Sequence, residues 1–171
     1  MTDSCINNVN QNLLMGNTFA FYIEKAPQVP IFCQSALLPS MSLGEAIVPT
    51  AVLDYAQPGE KITFDPLIIT FPVNETLSNY LEIQNWIFRI ATPEHAENRV
   101  TELRDILSDG RLLILNSENK PTATFVFKNM FPTNLSEINL DITQTANPVI
   151  ATATFKVSHF YLESLDNQDI T

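Results

Sequence analysis

The chain has 171 residues, 45% hydrophobic and only 16% charged, with nineteen acids against nine bases for a net charge of −10. That length suits one domain whose core needs no disulfide staples, and the charge pattern excludes an ordinary nucleic-acid binder: the bases stand singly between Lys25 and Lys156, so none of their groupings neutralises several phosphates together. Cys5 and Cys33 lack metal-site spacing, Met-Thr-Asp-Ser-Cys lacks the features of a signal peptide, and no apolar run approaches the ~18 residues that cross a bilayer, so a cytoplasmic, soluble protein with no membrane anchor is expected.

Residues 1–16 are polar and Asn-rich and read as a flexible arm. From Asn17 a single domain runs to 162. It opens on a half-buried strand with Phe19, Phe21 and Ile23 facing one way and Ala20 and Tyr22 the other. A second strand is expected over 29–38, with Ile31, Cys33 and Leu37 on one face and a stop at Pro39. Residues 40–58 are irregular yet keep apolar side chains, which need cover. Either this is a loop folded back on its own core, or Glu45, Ile47, Val48, Pro49, Val52 and Leu53 form an arm reaching a neighbouring subunit; both readings stand. Residues 60–72 form a strand whose apolar side switches after Pro66, where a bulge or an edge is expected.

Helical spacing then takes over across 76–91, with Leu77, Tyr80, Leu81, Gln84, Ile87, Phe88 and Ala91 on one stripe, broadened by Trp86 and Ile90. A second helix is expected over about 94–108, opened by Thr92-Pro93-Glu94 and stopped by Gly110 in a left-handed conformation. Residues 111–116 are apolar, and 122–131 alternate, with Ala123, Phe125, Phe127 and Phe131 opposite Thr122, Thr124 and Lys128. A connection over 132–147 leads to a long last strand, 149–161, with Val149, Ala151, Ala153, Phe155, Val157 and Tyr161 opposite Thr152, Thr154 and Ser158. An acidic tail, 163–171, closes the chain. The sum is mainly β (α+β), an antiparallel β-sandwich or part-barrel with one or two packed helices.

Chemistry finds little to work with. His95 and His159 are the only histidines and sit in no nucleophile motif. Four glycines are too few for a phosphate-cradling loop, and no zinc or calcium spacing occurs. Nineteen acids supply carboxylate pairs somewhere, but no cleft is indicated for them. No catalytic residue, cofactor or metal is therefore expected.

Three segments carry a resemblance. Ile31-Phe32-Cys33-Gln34-Ser35-Ala36-Leu37-Leu38-Pro39 is a strand running into a Leu-Pro stop; Glu60-Lys61-Ile62-Thr63-Phe64-Asp65 continues to Phe71 and a helix with Asn85-Trp86; and Lys128-Asn129-Met130-Phe131-Pro132-Thr133-Asn134-Leu135-Ser136-Glu137-Ile138-Asn139-Leu140-Asp141 precedes a closing strand ending at Phe160-Tyr161. In order and spacing these resemble the tail tube proteins of contractile-tailed bacteriophages across 17–162, with 92–120 enlarged. The resemblance implies hexameric rings, stacked into a tube around a channel for the genome, each subunit adding strands to a shared barrel inside a contractile sheath above a baseplate. On that footing Thr122, Thr124, Thr152, Thr154 and Ser158 are expected to face the channel. DNA would slide past an acidic wall without being bound. A tube-end or baseplate ring, or the tube of a bacterial secretion machine, fits the same pattern. A small-molecule-binding barrel is the alternative of another class, against which the Phe-rich core faces argue for filled space.

Overall fold

The computed structural model describes residues 13–14, 16–31, 33–91, 102–143 and 147–165. Its elements are β1 (Phe19–Ile23), α1 (Gln28–Ile31), β2 (Ser35–Leu37), β3 (Met41–Val48), β4 (Tyr55–Phe64), β5 (Leu67–Pro72), α2 (Ser78–Ile90), α3 (Leu103–Ile106), β6 (Ser108–Leu115), β7 (Pro121–Leu135), β8 (Ile150–Lys156) and β9 (His159–Leu165). Every strand pairing among them is antiparallel. Two sheets share β7: its first half lies between β6 and β9, with β1 beyond β6, and its second half pairs with β8, followed by β5 and β2. A strand that leaves one sheet for another needs a bend, and Asn129, with φ of 53°, supplies it. Asparagine tolerates this left-handed backbone better than most residues. The barrel is not closed within the subunit.

Phe21, Leu112 and Phe127 from the first sheet and Leu67, Ile69, Phe71, Ala151, Ala153 and Phe155 from the second face a common core. Helix α2 packs against it through Ile83 and Trp86, whose ring lies 6.0 Å from that of Phe155. The Trp86 indole N–H, which must find an acceptor once buried, donates to the Ile106 carbonyl at 2.7 Å. Gly110 permits the closest approach in the first sheet: a Cβ there would sit 2.7 Å from Met130 Sδ.

The structure corrects several expectations. Instead of one strand over 29–38, Gln28–Ile31 form a turn of helix and only Ser35–Leu37 pair with β5. Proline at 27 and 30 holds φ near its helical value and donates nothing to a ladder. Ala36 faces Ile69 in register, so Leu37 points outward, 61% exposed. Residues 40–58 are not irregular: they form most of an antiparallel hairpin, β3–β4. The strand over 60–72 is two strands in different sheets, divided at Asp65-Pro66.

The helix stripe is rotated. Asn79, Ile83 and Trp86 are buried, while Leu77, Leu81 and Phe88 are exposed. A polar residue sets the inward line because Asn79 Nδ2 donates to the Pro72 carbonyl at 2.9 Å and its Oδ1 accepts from the backbone N–H groups of Asn74 and Tyr80. Of the second helix, residues 92–101 lie outside the described ones; Leu103–Ile106 are helical and β6 begins at Ser108, so Gly110 is a strand residue without positive φ and stops no helix. β7 continues to Leu135, where a connection was expected, and its bend at Asn129 turns Phe131 outward, in register with Lys156. The last strand breaks at Val157-Ser158, so β8 and β9 serve different sheets and Tyr161 is exposed. Among the described residues β8 and the first half of β7 are flanked on both sides, and the open edges belong to β1, β2, β9 and the second half of β7.

Candidate assembly surfaces

The hairpin β3–β4 is exposed along nearly its whole length. Alternation of apolar and polar residues gives it strand character, yet among the described residues no third strand or helix covers either face. Met41, Leu43, Ile47, Val52, Leu53, Tyr55 and Ile62 are each more than half exposed. Its root is tied down by three contacts: Asp65 N–H to the Ser40 carbonyl at 3.1 Å, the Lys156 ammonium to the Phe64 carbonyl at 2.7 Å, and an edge-to-face pair of Phe64 with Phe160 at 5.3 Å. Midway, the register shifts between Leu43 and Glu45, where Gly44 and Gly59 let the two backbones touch; a Cβ on Gly59 would lie 2.7 Å from the Gly44 carbonyl oxygen. Eight residues of β3 give a projection of roughly 25 Å. Glu45, Ile47, Val48, Pro49, Val52 and Leu53, the residues expected at a loop or arm, all lie exposed on the outer half and tip of this hairpin. Their exposure removes the reading of a loop folded onto its own core.

The second surface is the outward face of the sheets. Thr152 and Thr154 sit on β8 opposite Thr70 and Ile68, turned away from the core, and the Thr70 and Thr152 hydroxyls meet at 3.4 Å. Thr124 lies on the outward face of the other sheet, between Leu113 and Ser164 in register, and Thr122 is exposed near the start of β7. Ser158 is exposed at the break between β8 and β9, its N–H donating to the Lys128 carbonyl at 3.1 Å. The structure thus gathers Thr152 and Thr154 on one sheet, Thr122 and Thr124 on the other, and leaves Ser158 at the corner. The ladder partners of β5 and β8 on this face are threonine, isoleucine and proline, so the face is rich in hydroxyls rather than carboxylates.

Electrostatic ties are structural. Lys128 is hydrogen-bonded to the Asp109 carboxylate, which also accepts the Asn129 N–H at 3.2 Å and so fastens the bend in β7. Burial raises the Asp109 pKa, but these hydrogen bonds outweigh it and leave the group below its ordinary value. Lys25 donates to the carbonyls of Arg104 and Asp105 at 3.2 and 2.5 Å, joining the end of β1 to α3. Burial pushes the Cys33 thiol up to about 11, which leaves it unreactive near neutral pH. Among the described residues no three His, Cys, Asp or Glu groups converge as a metal site, and no helix is long and apolar enough to cross a membrane. His159 stacks on Tyr161 at 6.2 Å; His95 lies outside the described residues.

A family model described as phage tail tube protein matches residues 6–163. The tail tube terminator protein of Enterobacteria phage T4 is 27% identical over 109 residues, taking in 63% of this chain and 61% of that protein's length, so the match spans less than two thirds of that relative. Among solved structures, the tube-terminating cap of the anti-feeding prophage aligns with a TM-score of 0.66 at 16% identity, over 96% of this chain and 99% of that one. A chain of the sheath–tube complex of the extracellular contractile injection system PVC gives 0.65 at 14% identity, over 91% and 95%. At such identities the likeness is one of fold, and it extends over nearly the whole chain. The segments singled out in the sequence lie within the matched span, which takes in nearly the whole chain: this protein belongs to the phage tail tube protein family.

Proposed function

We propose that the protein is a non-enzymatic ring subunit of a contractile tail tube, six copies closing a barrel around the channel through which the genome passes. The observation that carries the reading is the hairpin: a covalent part of the domain, apolar at its tip, with no core of its own. Two bare strands are marginal in water, so an ordered hairpin of this length is finished by another copy. The open edges of β1, β2 and β9 support it equally, because ring closure removes strand edges that would otherwise invite aggregation. Thr122, Thr124, Thr152, Thr154 and Ser158 then line the lumen with neutral hydroxyls; the lysines that share these faces, Lys128 and Lys156, are engaged by the Asp109 carboxylate and the Phe64 carbonyl, and the net charge of −10 discourages DNA binding. Rings stack, a sheath surrounds them, and a baseplate anchors them; assembly takes place in the host cytoplasm and the product is part of the virion.

A second reading, a ring that ends the tube, is favoured by the terminator of phage T4 and by the anti-feeding prophage cap. Electron microscopy of the purified protein separates the two. Long tubes mark the bulk subunit, and single or paired rings that refuse to lengthen mark the tube end. A monomer at every concentration, or tight DNA binding, removes both.

A further inference from the structure

Among the described residues nothing covers the hairpin tip, and the same subunit carries an apolar groove of about 590 Å³ that is open to a partner. It is lined by Val73, Leu77, Ile138, Leu140, Pro148 and Val149 together with the polar Asn74 and Glu75, and the Val73 N–H donates to the Val149 carbonyl at 2.8 Å. The Tyr80 hydroxyl of α2 donates to the Ser136 carbonyl at 3.1 Å, tying α2 to the segment that runs on to Ile138 and Leu140. Leu77 reaches the groove from a left-handed backbone, φ 57°, which a leucine adopts only where its surroundings hold it. One polar group in the lining is unsatisfied: Asn74 Oδ1 is buried and accepts no hydrogen bond, while its Nδ2 is used by Ser78 at 2.6 Å. Turning the amide over only moves the deficit to the nitrogen.

Tip and groove cannot meet within one molecule. The hairpin leaves the body beside Leu67 and Lys156, at one end of the β5–β8 ladder; the groove lies beyond Pro72 and Ile150, at the other. Six residues of β5 put roughly 20 Å between them, and the exposure of the hairpin shows that it does not fold back. A knob at one end and a hole at the other make a head-to-tail contact, the kind that generates rings or filaments and not closed pairs.

We propose that Val48, Pro49, Val52 and Leu53 of one subunit seat in the groove formed by Val73, Leu77, Leu140 and Val149 of the next copy. This rests on the ring-subunit reading and names its receiving surface.

The test uses the full chain carrying Leu53→Cys and Leu140→Cys together, treated with a short bismaleimide and resolved on a denaturing gel, with each single variant as control. A ladder of covalent oligomers joined through the two introduced thiols is expected from the double variant alone. In parallel, Val52→Asp and Leu140→Asp should each raise the concentration for half-assembly by about tenfold or more, with Tm unchanged because these side chains are 95% and 81% exposed. Should Leu140→Asp assemble like the parent while Val52→Asp does not, the arm reading survives and the groove assignment falls. Normal assembly of both, or a link formed only within one chain, overturns the inference, and a parent protein that stays monomeric takes the ring reading down with it.

Discussion

The β5–β8 ladder and the β3–β4 hairpin are made of similar material and meet opposite fates. Leu67, Ile69 and Phe71 alternate along β5 and are wholly buried; Met41, Leu43 and Ile47 lie along β3 and are 64%, 58% and 61% exposed. Propensity favours β5, with Ile68, Ile69, Thr70 and Phe71, over β3, which carries Gly44, Glu45 and Ala46, yet both form strands and propensity says nothing of their burial. The difference is what lies over each face. β5 and β8 present Phe71, Ala153 and Phe155 to a core closed by α2, whereas the hairpin leaves the body at Phe64 and carries its apolar side chains into solvent. One region is completed by its own chain, the other, on the proposed reading, by a copy, and each of the following experiments asks whether that division holds.

The largest effect is expected from Phe155→Ala. The ring is fully buried and packs on Trp86 at 6.0 Å, so its loss costs about 3–5 kcal/mol. Denaturant unfolding below the assembly concentration measures it, and a loss under about 1 kcal/mol would mean that the subunit core is not independently packed. Asn79→Leu comes next. A hydrophobicity argument favours leucine at this buried site, but the change strands the Pro72 carbonyl and the N–H groups of Asn74 and Tyr80, so a loss of about 1–3 kcal/mol is expected by the same assay. A gain in stability would show that these groups find other partners.

A smaller, pH-dependent effect belongs to Asp109 and Lys128, whose side chains are each about a third exposed. The folded-state pKa of Asp109 is lowered, so the pair's contribution is present above the unfolded carboxylate value of about 4 and fades as pH falls through the folded value. The Lys128 pKa is raised by its hydrogen bond to Asp109, so at the other extreme the contribution is lost as pH climbs past the ordinary lysine range. The stability gap between the parent and Asp109→Asn should therefore be level near neutral pH, close below about pH 4, and shrink in high salt. A gap that persists unchanged into acid would assign the effect to the Asn129 N–H bond alone.

What was legible in the sequence follows the same division. β1, β6, the first half of β7 and the existence of α2 were readable because a core face imposes a period. Residues that break the period locally were not: Asn79, buried by its hydrogen bonds, rotates the α2 stripe, Asn129 flips Phe131 outward, and the stop at Val157-Ser158 splits the last strand. The hairpin lacks the one-sided burial that identifies a strand, so only its surplus of apolar side chains marked it out in the sequence. The outward threonines follow from alternation once Phe155 and Phe127 are placed inside. No local signal marks the groove, because Val73 and Leu77 on one hand and Ile138, Leu140, Pro148 and Val149 on the other lie far apart in sequence.

The finest test of the division is Gly59→Ala, which adds one methyl to the hairpin. That Cβ would lie 2.7 Å from the Gly44 carbonyl oxygen and 2.9 Å from its carbon, backbone atoms that yield only if the two strands part. Gly44→Ala meets the Lys61 carbonyl oxygen at 3.3 Å, a tightness that a shift of a few tenths of an ångström relieves, so it should be the milder change. Since the site touches no core residue, neither variant should move monomer stability by more than about 0.5 kcal/mol. Assembly should respond in the order Gly59→Ala, then Gly44→Ala, because a re-aimed hairpin of roughly 25 Å carries a small angular error at its bulge into a displacement of several ångströms at its tip. Thermal unfolding of the monomer and sedimentation of the assembled protein read the two quantities separately. If Gly59→Ala destabilised the monomer as a core variant does, the hairpin would have to be counted as part of the subunit's own fold, and the contrast between the two regions would be lost.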